Sequence, residues 1–169
     1  MGFPSKLKDL NLYGDGESWK GEIAEVTIPK LALKMEDWRG GGMLGPVPID
    51  MGIEKIEFEF KAGGLLLDPL AQFGAPAADA AQLRFAGAYQ NDQTGAESYA
   101  EVVARGRYSE ADFGSQKIGD DTETTYKMAC SYYKLVHDNV VVLEIDLIAG
   151  ILIVFGVDRY AQRRQALGG

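Results

Sequence analysis

The sequence is poor in the residues that carry chemistry: its 169 positions include one cysteine and one histidine. Cys130 can close no intramolecular disulfide, and it stands in an apolar run away from any charged, thiolate-stabilising cluster, which reads as a buried structural thiol. His137 has Asp138 as its neighbour, and in extended chain successive side chains point to opposite faces, so the pair cannot act as a base and its orienting carboxylate. It reads as a turn residue. Zinc finds no Cys/His set, and Asp112, Asp120, Asp121 and Glu123 lack calcium-loop spacing, leaving a solvated acidic loop. Neither a G-x-S-x-G elbow nor a phosphate-binding G-K-[ST] occurs. Gly40-Gly41-Gly42-Met43-Leu44-Gly45 fits G-x-G-x-x-G, but Pro46 and Pro48 follow where a dinucleotide site needs a helix. The expectation is no catalytic residue, no cofactor and no metal.

Long hydrophobic runs are lacking too. The most apolar stretch, residues 147–157, follows Glu144 and Asp146 and falls well short of the ~20 residues that span a bilayer. Residues 1–15 mix Lys6, Lys8, Asp9 and Asp15 with scattered leucines, unlike a secretory signal. Met1-Gly2 opens like a myristoylation signal, but Lys6 stands where Ser or Thr is required. Synthesis in the cytoplasm without a membrane anchor is expected. Positive charge is scarce as well: the formal net charge is −8, which argues against tight binding to nucleic acid.

What the sequence does have is alternation of apolar and polar residues with period two. Ile56, Phe58 and Phe60 face one way, and Lys55, Glu57, Glu59 and Lys61 the other. In residues 83–89, Leu83, Phe85 and Tyr89 with Gly87 oppose Arg84, Ala86, Ala88 and Gln90. Turn-forming residues 91–95 then lead into a second run, residues 98–108, so that the two read as a hairpin. There Val102 and Ala104 oppose Glu101, Arg105 and Arg107. Residues 122–136 put Tyr126, Met128, Cys130 and Tyr132 on one side, with Thr125, Lys127, Ala129 and Ser131 on the other. A turn at His137-Asp138-Asn139 precedes a strand over residues 140–145. Residues 23–33 read as a strand interrupted at Pro29, hence at an edge or a bulge.

Two short helices complete the picture. Asp68 caps the first, with Pro69 at its first position and Gly74 at its end. The second begins near Asp158, turns Tyr160, Ala161 and Leu167 toward the core, and carries Arg163 and Arg164 near its C-terminal end. The fold class is mainly β: an antiparallel sandwich or barrel-like subunit with one or two short helices, a single domain over residues 1–169. Residues 36–49 read as a sharply turning loop that needs glycine freedom.

With these segments in hand, the chain resembles the major tail tube proteins of contractile-tailed bacteriophages and of the related phage-tail-like bacteriocins. The likeness rests on Leu10-Asn11-Leu12-Tyr13 with Gly16, on Thr27-Ile28-Pro29-Lys30-Leu31, and on the block from Lys34-Met35-Glu36-Asp37-Trp38-Arg39-Gly40-Gly41-Gly42-Met43 into Gly45-Pro46-Val47-Pro48-Ile49-Asp50-Met51-Gly52. It continues through Arg84-Phe85-Ala86-Gly87-Ala88-Tyr89-Gln90, Arg105-Gly106-Arg107, Gly119-Asp120-Asp121-Thr122-Glu123, Glu144-Ile145-Asp146 and Gly156-Val157-Asp158-Arg159. Residues 147–155 depart from it by being more apolar than relatives lead one to expect.

The resemblance implies a subunit of hexameric rings, the inner sheets of six copies joining into one barrel and the rings stacking into a tube. Its partners would be copies of itself, the tail sheath protein, the tape-measure protein, the baseplate hub and the tail terminator. DNA would be met only in transit, and assembly would take place in the bacterial cytoplasm. Lys34, Glu36, Trp38, Arg39, Gly40, Gly41, Gly42, Met43, Pro46 and Ile49 would form a loop contacting a neighbouring subunit. Glu57, Glu59, Lys61, Arg84, Gln90, Glu101, Arg105 and Lys127 are candidates to face the lumen. Two other readings fit the same strands: a monomeric ligand-binding barrel, and the tube of a contractile secretion machine.

Overall fold

In the computed structural model, which describes residues 2–169, twelve strands and two short helices follow one another along the chain. Met1, and with it half of the Met1-Gly2 signal considered above, lies outside the described residues. The strands are β1 (Lys6–Gly14), β2 (Glu17–Ser18), β3 (Ile23–Thr27), β4 (Leu33–Trp38), β5 (Val47–Ile53) and β6 (Ile56–Ala62). After α1 (Leu67–Ala71) come β7 (Ala81–Gln90), β8 (Glu97–Asp112), β9 (Thr124–His137), β10 (Val140–Asp146), β11 (Ile151–Val154) and β12 (Val157–Asp158), then α2 (Ala161–Ala166). All pairings are antiparallel.

Two long strands organise everything else. β9 pairs with β8 along its length, and on its other side with β6 through residues 124–130 and with β10 through residues 132–137. One half-sheet therefore reads β3-β6-β9-β8 and the other β1-β7-β8-β9-β10-β11-β12. The junction is irregular. Between Arg105 and Gly106 the register slips by one residue against β9, leaving Ser131 as the extra residue, its Oγ donating to the Arg105 carbonyl. Such a bulge bends and twists the pair.

The bend folds one half-sheet over the other. Trp19, whose N–H donates to the Leu12 carbonyl of β1, packs its ring 5.5 Å from that of Phe60 on β6. Phe60 also stacks on Tyr126 and meets Tyr108 edge-on. Leu12, Leu83, Phe85, Val102 and Ala104 from one half and Ile56, Phe58, Phe60, Tyr126 and Met128 from the other are fully enclosed between them. This is a core filled by side chains from both inner faces.

Local chemistry explains the turns. Asp138 and Asn139 both have positive φ, 47° and 65°, which is the two-residue hairpin turn whose twist matches the strands it joins. Gly14 sits so close to Trp19 that a Cβ there would lie 2.0 Å from the indole. β3 pairs with β6 alone, so the segment before Pro29 is an edge strand, as its proline suggested.

Four expectations need correction. Tyr132 leaves the core side: the extra residue Ser131 shifts the alternation, so Tyr133 is buried and Tyr132 lies under Arg105, 4.0 Å from guanidinium carbon to ring centroid. Asp68 does not cap α1; Leu66 holds the cap position and Asp68 accepts from the Trp19 indole N–H at 3.0 Å. In α2, Ala161 and Leu167 are exposed; what ties the helix down is Arg164, which donates to Asp158 and to the Gly150 carbonyl. Residues 36–49 are a loop only over 39–46; residues 36–38 and 47–49 belong to a two-stranded hairpin, β4-β5, a sheet of its own.

Candidate functional site

Among the described residues no group of three or more His, Cys, Asp or Glu could hold a metal ion. His137 and Asp138, expected to point apart, come within 3.5 Å because Asp138 turns the chain at positive φ, and the pair lies exposed at the hairpin. Cys130 is buried, and burial pushes its thiol up to about 12. Burial also raises Tyr108 and Tyr133. Their consequence is for stability. Between about pH 9 and 12 the unfolded chain releases these protons while the folded one keeps them, so unfolding is favoured as pH rises through that range and the contribution is absent below it. Denaturant midpoints should hold level from pH 7 to 8.5 and fall steadily above pH 9. A thiol reagent at pH 8 should label Cys130 only as the protein unfolds.

What the fold does display is surface. The eight charged or polar candidates do not share one face. Glu57, Glu59, Lys61 and Lys127 lie on the outer face of the β3-β6-β9-β8 half, opposite Phe58, Phe60, Ala62 and Met128. Arg84, Gln90, Glu101 and Arg105 lie on the outer face of the other half. With the core between them the two groups point away from each other. Alternation identified these wet faces, though it failed past the bulge at Tyr132; it carries no information on which half-sheet a wet face belongs to.

The first face is acidic and internally paired. Lys61 reaches Glu123 at 3.3 Å and Glu25 at 3.8 Å, and Lys127 reaches Glu110 at 3.3 Å. Hydrogen bonding to Glu123 raises the Lys61 pKa, and hydrogen bonding to Glu110 raises that of Lys127, with Glu57 and Glu59 adding their fields. Both ammonium groups stay charged, and the carboxylates around them outnumber them. The second face is built from Arg84 paired with Glu101 at 3.0 Å and stacked on Tyr13, and from Arg105 over Tyr132.

The β3-β6-β9-β8 half has free backbone along both borders. Among the described residues β3 has no partner beyond β6, and residues 107–112 of β8 run past the end of β7, whose last pair with β8 is Ala81 with Gly106. Pro29 had pointed to the β3 border, as an edge or a bulge; the β8 border left no mark in the sequence, because a free edge is a property of pairing and not of alternation.

The β4-β5 hairpin is an arm that covers itself with nothing. Leu33, Met35, Trp38, Val47, Ile49 and Met51 are all exposed, on both faces. Lys34, Glu36 and Trp38 stand in β4 and Ile49 in β5, while Arg39, Gly40, Gly41, Gly42, Met43 and Pro46 form the connection. Gly42 takes φ +85° there, and the Met43 carbonyl accepts from Arg39 Nε. Pro48 within β5 is tolerated because β5 has β4 on one side only. An unpartnered apolar patch of this kind marks an interaction surface.

These features agree with the comparisons. A family model described as phage tail tube protein FII matches residues 4–168. The chain is 41% identical to the tail tube protein of Escherichia phage P2, over 99% of both chains. It is 39% identical to the major tail tube protein of Serratia phage KSP20, over 96% of this chain and 95% of that one. Among solved structures, a cryo-EM structure of an extracellular contractile injection system, the PVC sheath/tube terminator in its extended state, superposes with a TM-score of 0.61 at 9% identity. It covers 80% of this chain and 99% of that one. The anti-feeding prophage baseplate, six-fold symmetrised, superposes at 0.55 and 10% identity, over 80% of this chain and 97% of that one. The two structural likenesses speak for the fold, and the matches along nearly the whole sequence speak for the family: this chain belongs to the phage tail tube proteins.

Proposed function

We propose that this chain forms stacked hexameric rings in which the β3-β6-β9-β8 half-sheets of all copies join edge to edge into one barrel, with Glu57, Glu59, Lys61 and Lys127 lining the lumen. The observation that carries this reading is the pair of free borders on that half-sheet. Its four strands alternate in direction. Copies related by rotation about the tube axis keep their strand directions, so β3 of one copy meets residues 107–112 of β8 in the next as an antiparallel neighbour. Closure leaves no exposed edge to pair with the wrong chain. The outer face of the other half-sheet then turns toward the sheath.

The arm, including Lys34, Glu36, Trp38, Arg39 and Ile49, reaches a neighbouring copy and buries there the apolar surface it exposes alone. The tape-measure protein occupies the lumen during assembly, the baseplate hub and the terminator close the two ends, and in a particle that carries a genome DNA passes through. The chain has no catalytic role. Assembly takes place in the bacterial cytoplasm.

An acidic lumen lets DNA slide, because phosphates find no field of cations to bind. Reversing two charges per copy, Glu57→Lys with Glu59→Lys, should leave tubes of normal appearance by negative stain. DNA delivery should nevertheless fall about tenfold or more as phosphate binding is introduced. Normal delivery through normal tubes would remove these residues from the lumen.

A further inference from the structure

The arm has a tip and a root, and they differ in shape. At the tip Leu44 is wholly exposed, next to Gly45 and just beyond the Gly40-Gly41-Gly42 turn, with no bulky neighbour in sequence except Met43. At the root, where the arm leaves the body, Leu33, Ile53, Leu143, Ile145, Leu152 and Val154 line an apolar groove of about 170 Å³. Leu143 and Leu152 pack on the core from below, so the groove floor is fixed. Its walls are the first residue of β4 and the last of β5, so its apolar lining runs on into the arm.

We propose that Leu44 of one copy seats in the root groove of the next. The tip cannot fill its own groove. The β4-β5 ladder holds Leu33–Trp38 extended against Val47–Ile53, roughly 17 Å of strand at ~3.3 Å per residue, and the tip lies beyond it in the 39–46 connection. The occupant is a second copy because the proposal rests on the tube reading, in which the arm is buried on a neighbouring copy, and the groove is continuous with that arm through Leu33 and Ile53. Tip and groove are different sites on one molecule, so the contact is head-to-tail and each copy that receives a tip also offers one; such contacts propagate instead of closing as a pair. One side chain in one groove is far below the ~1,200 Å² that holds a stable pair. Single copies therefore stay apart, and the contact acts only where many are made together. The residues that make β11 more apolar than expected, Leu152 and Val154, acquire a use: they line the groove.

The test uses the full chain at high concentration, with tubes monitored by negative stain. Leu44→Cys with Val154→Cys, oxidised, should give a ladder of dimers, trimers and longer covalent oligomers, whereas Leu44→Cys alone should stop at dimers. Leu44→Ser should raise the concentration needed for tubes about tenfold, the scale of one aliphatic side chain returned to water, with an unchanged thermal midpoint because Leu44 touches nothing in its own chain. Tubes that form normally while the double-cysteine chain stays uncrosslinked and Leu44→Ser assembles at the parent's concentration would overturn the groove assignment and leave the tube reading standing. A parent chain that forms no tubes or rings would overturn both.

Discussion

Gly106→Ala should lower the unfolding free energy by about 3 kcal/mol, the upper range for forcing an atom into a packed interior. A methyl there would lie 2.0 Å from the Ala129 carbonyl oxygen and 2.8 Å from Cys130 Cα. Those are backbone atoms of β9 and cannot swing aside as a side chain would. Two terms compete: alanine is favoured over glycine in a strand by roughly 0.5–1 kcal/mol, and the clash opposes it. The clash wins because relief requires β8 and β9 to separate. For a chain of this size 3 kcal/mol corresponds to a drop of roughly 6–12 °C in the thermal midpoint. Gly41→Ala, at the arm turn with no atom within 4 Å of its added methyl, is the matched control and should stay within about 0.5 kcal/mol. An unmoved midpoint for Gly106→Ala would mean that the two strands do not approach as described.

Gly106 also stands at the corner between the two half-sheets. It is the last residue of β8 that pairs with β7 and the neighbour of the slip against Ser131. Beyond it β8 belongs to the half-sheet with the acidic face and offers residues 107–112 as a free border. Prising this corner open changes the angle between half-sheets, so tube formation should suffer more than the loss of stability alone would cause.

How far the sequence revealed this can be judged at particular residues. Ile56, Phe58 and Phe60 alternate with Glu57, Glu59 and Lys61, and the strand they predict is there because one face must leave water while the other need not. Tyr132 was misplaced because a bulge is set by cross-strand register: Ser131 has no sequence mark of being the extra residue. Asp68 before Pro69 looks like a cap, yet a tertiary demand overrode the local one, the buried indole N–H of Trp19 requiring an acceptor. Leu33, Met35, Val47 and Met51 in the arm alternate no differently from core residues, and only the fold shows that their own chain never covers them. Nothing in the sequence separates Arg84, Gln90, Glu101 and Arg105 from Glu57, Glu59, Lys61 and Lys127, for the same reason. Assembly surfaces are read from what pairs with what, and that is long-range information.

Phe60→Ala should be the most damaging truncation in the core, costing about 4 kcal/mol, within the range for removing a buried phenyl group. The ring meets Trp19 at 5.5 Å, Tyr126 at 5.1 Å and Tyr108 at 6.4 Å between centroids, so its loss empties a site bounded by three large, stiff rings that cannot collapse into it. Each is held elsewhere or trapped: Trp19 by Asp68, Tyr126 by the Leu66 backbone through its hydroxyl, Tyr108 by β8. The cavity therefore persists, which is the condition for a large penalty. In urea the midpoint should fall with the slope unchanged, since the surface exposed on unfolding is the same. Phe73→Ala, at a half-exposed ring past the end of α1, should cost under about 1 kcal/mol. The consequence reaches the polar face as well. Phe60 lies between Glu59 and Lys61 in the strand and its ring packs where the two half-sheets meet, so weakening it loosens the wall that carries the acidic charges. A Phe60→Ala chain that kept its urea midpoint would show that the half-sheets are not joined through this aromatic cluster, and the placement of an outward acidic face against an enclosed core would fail with it.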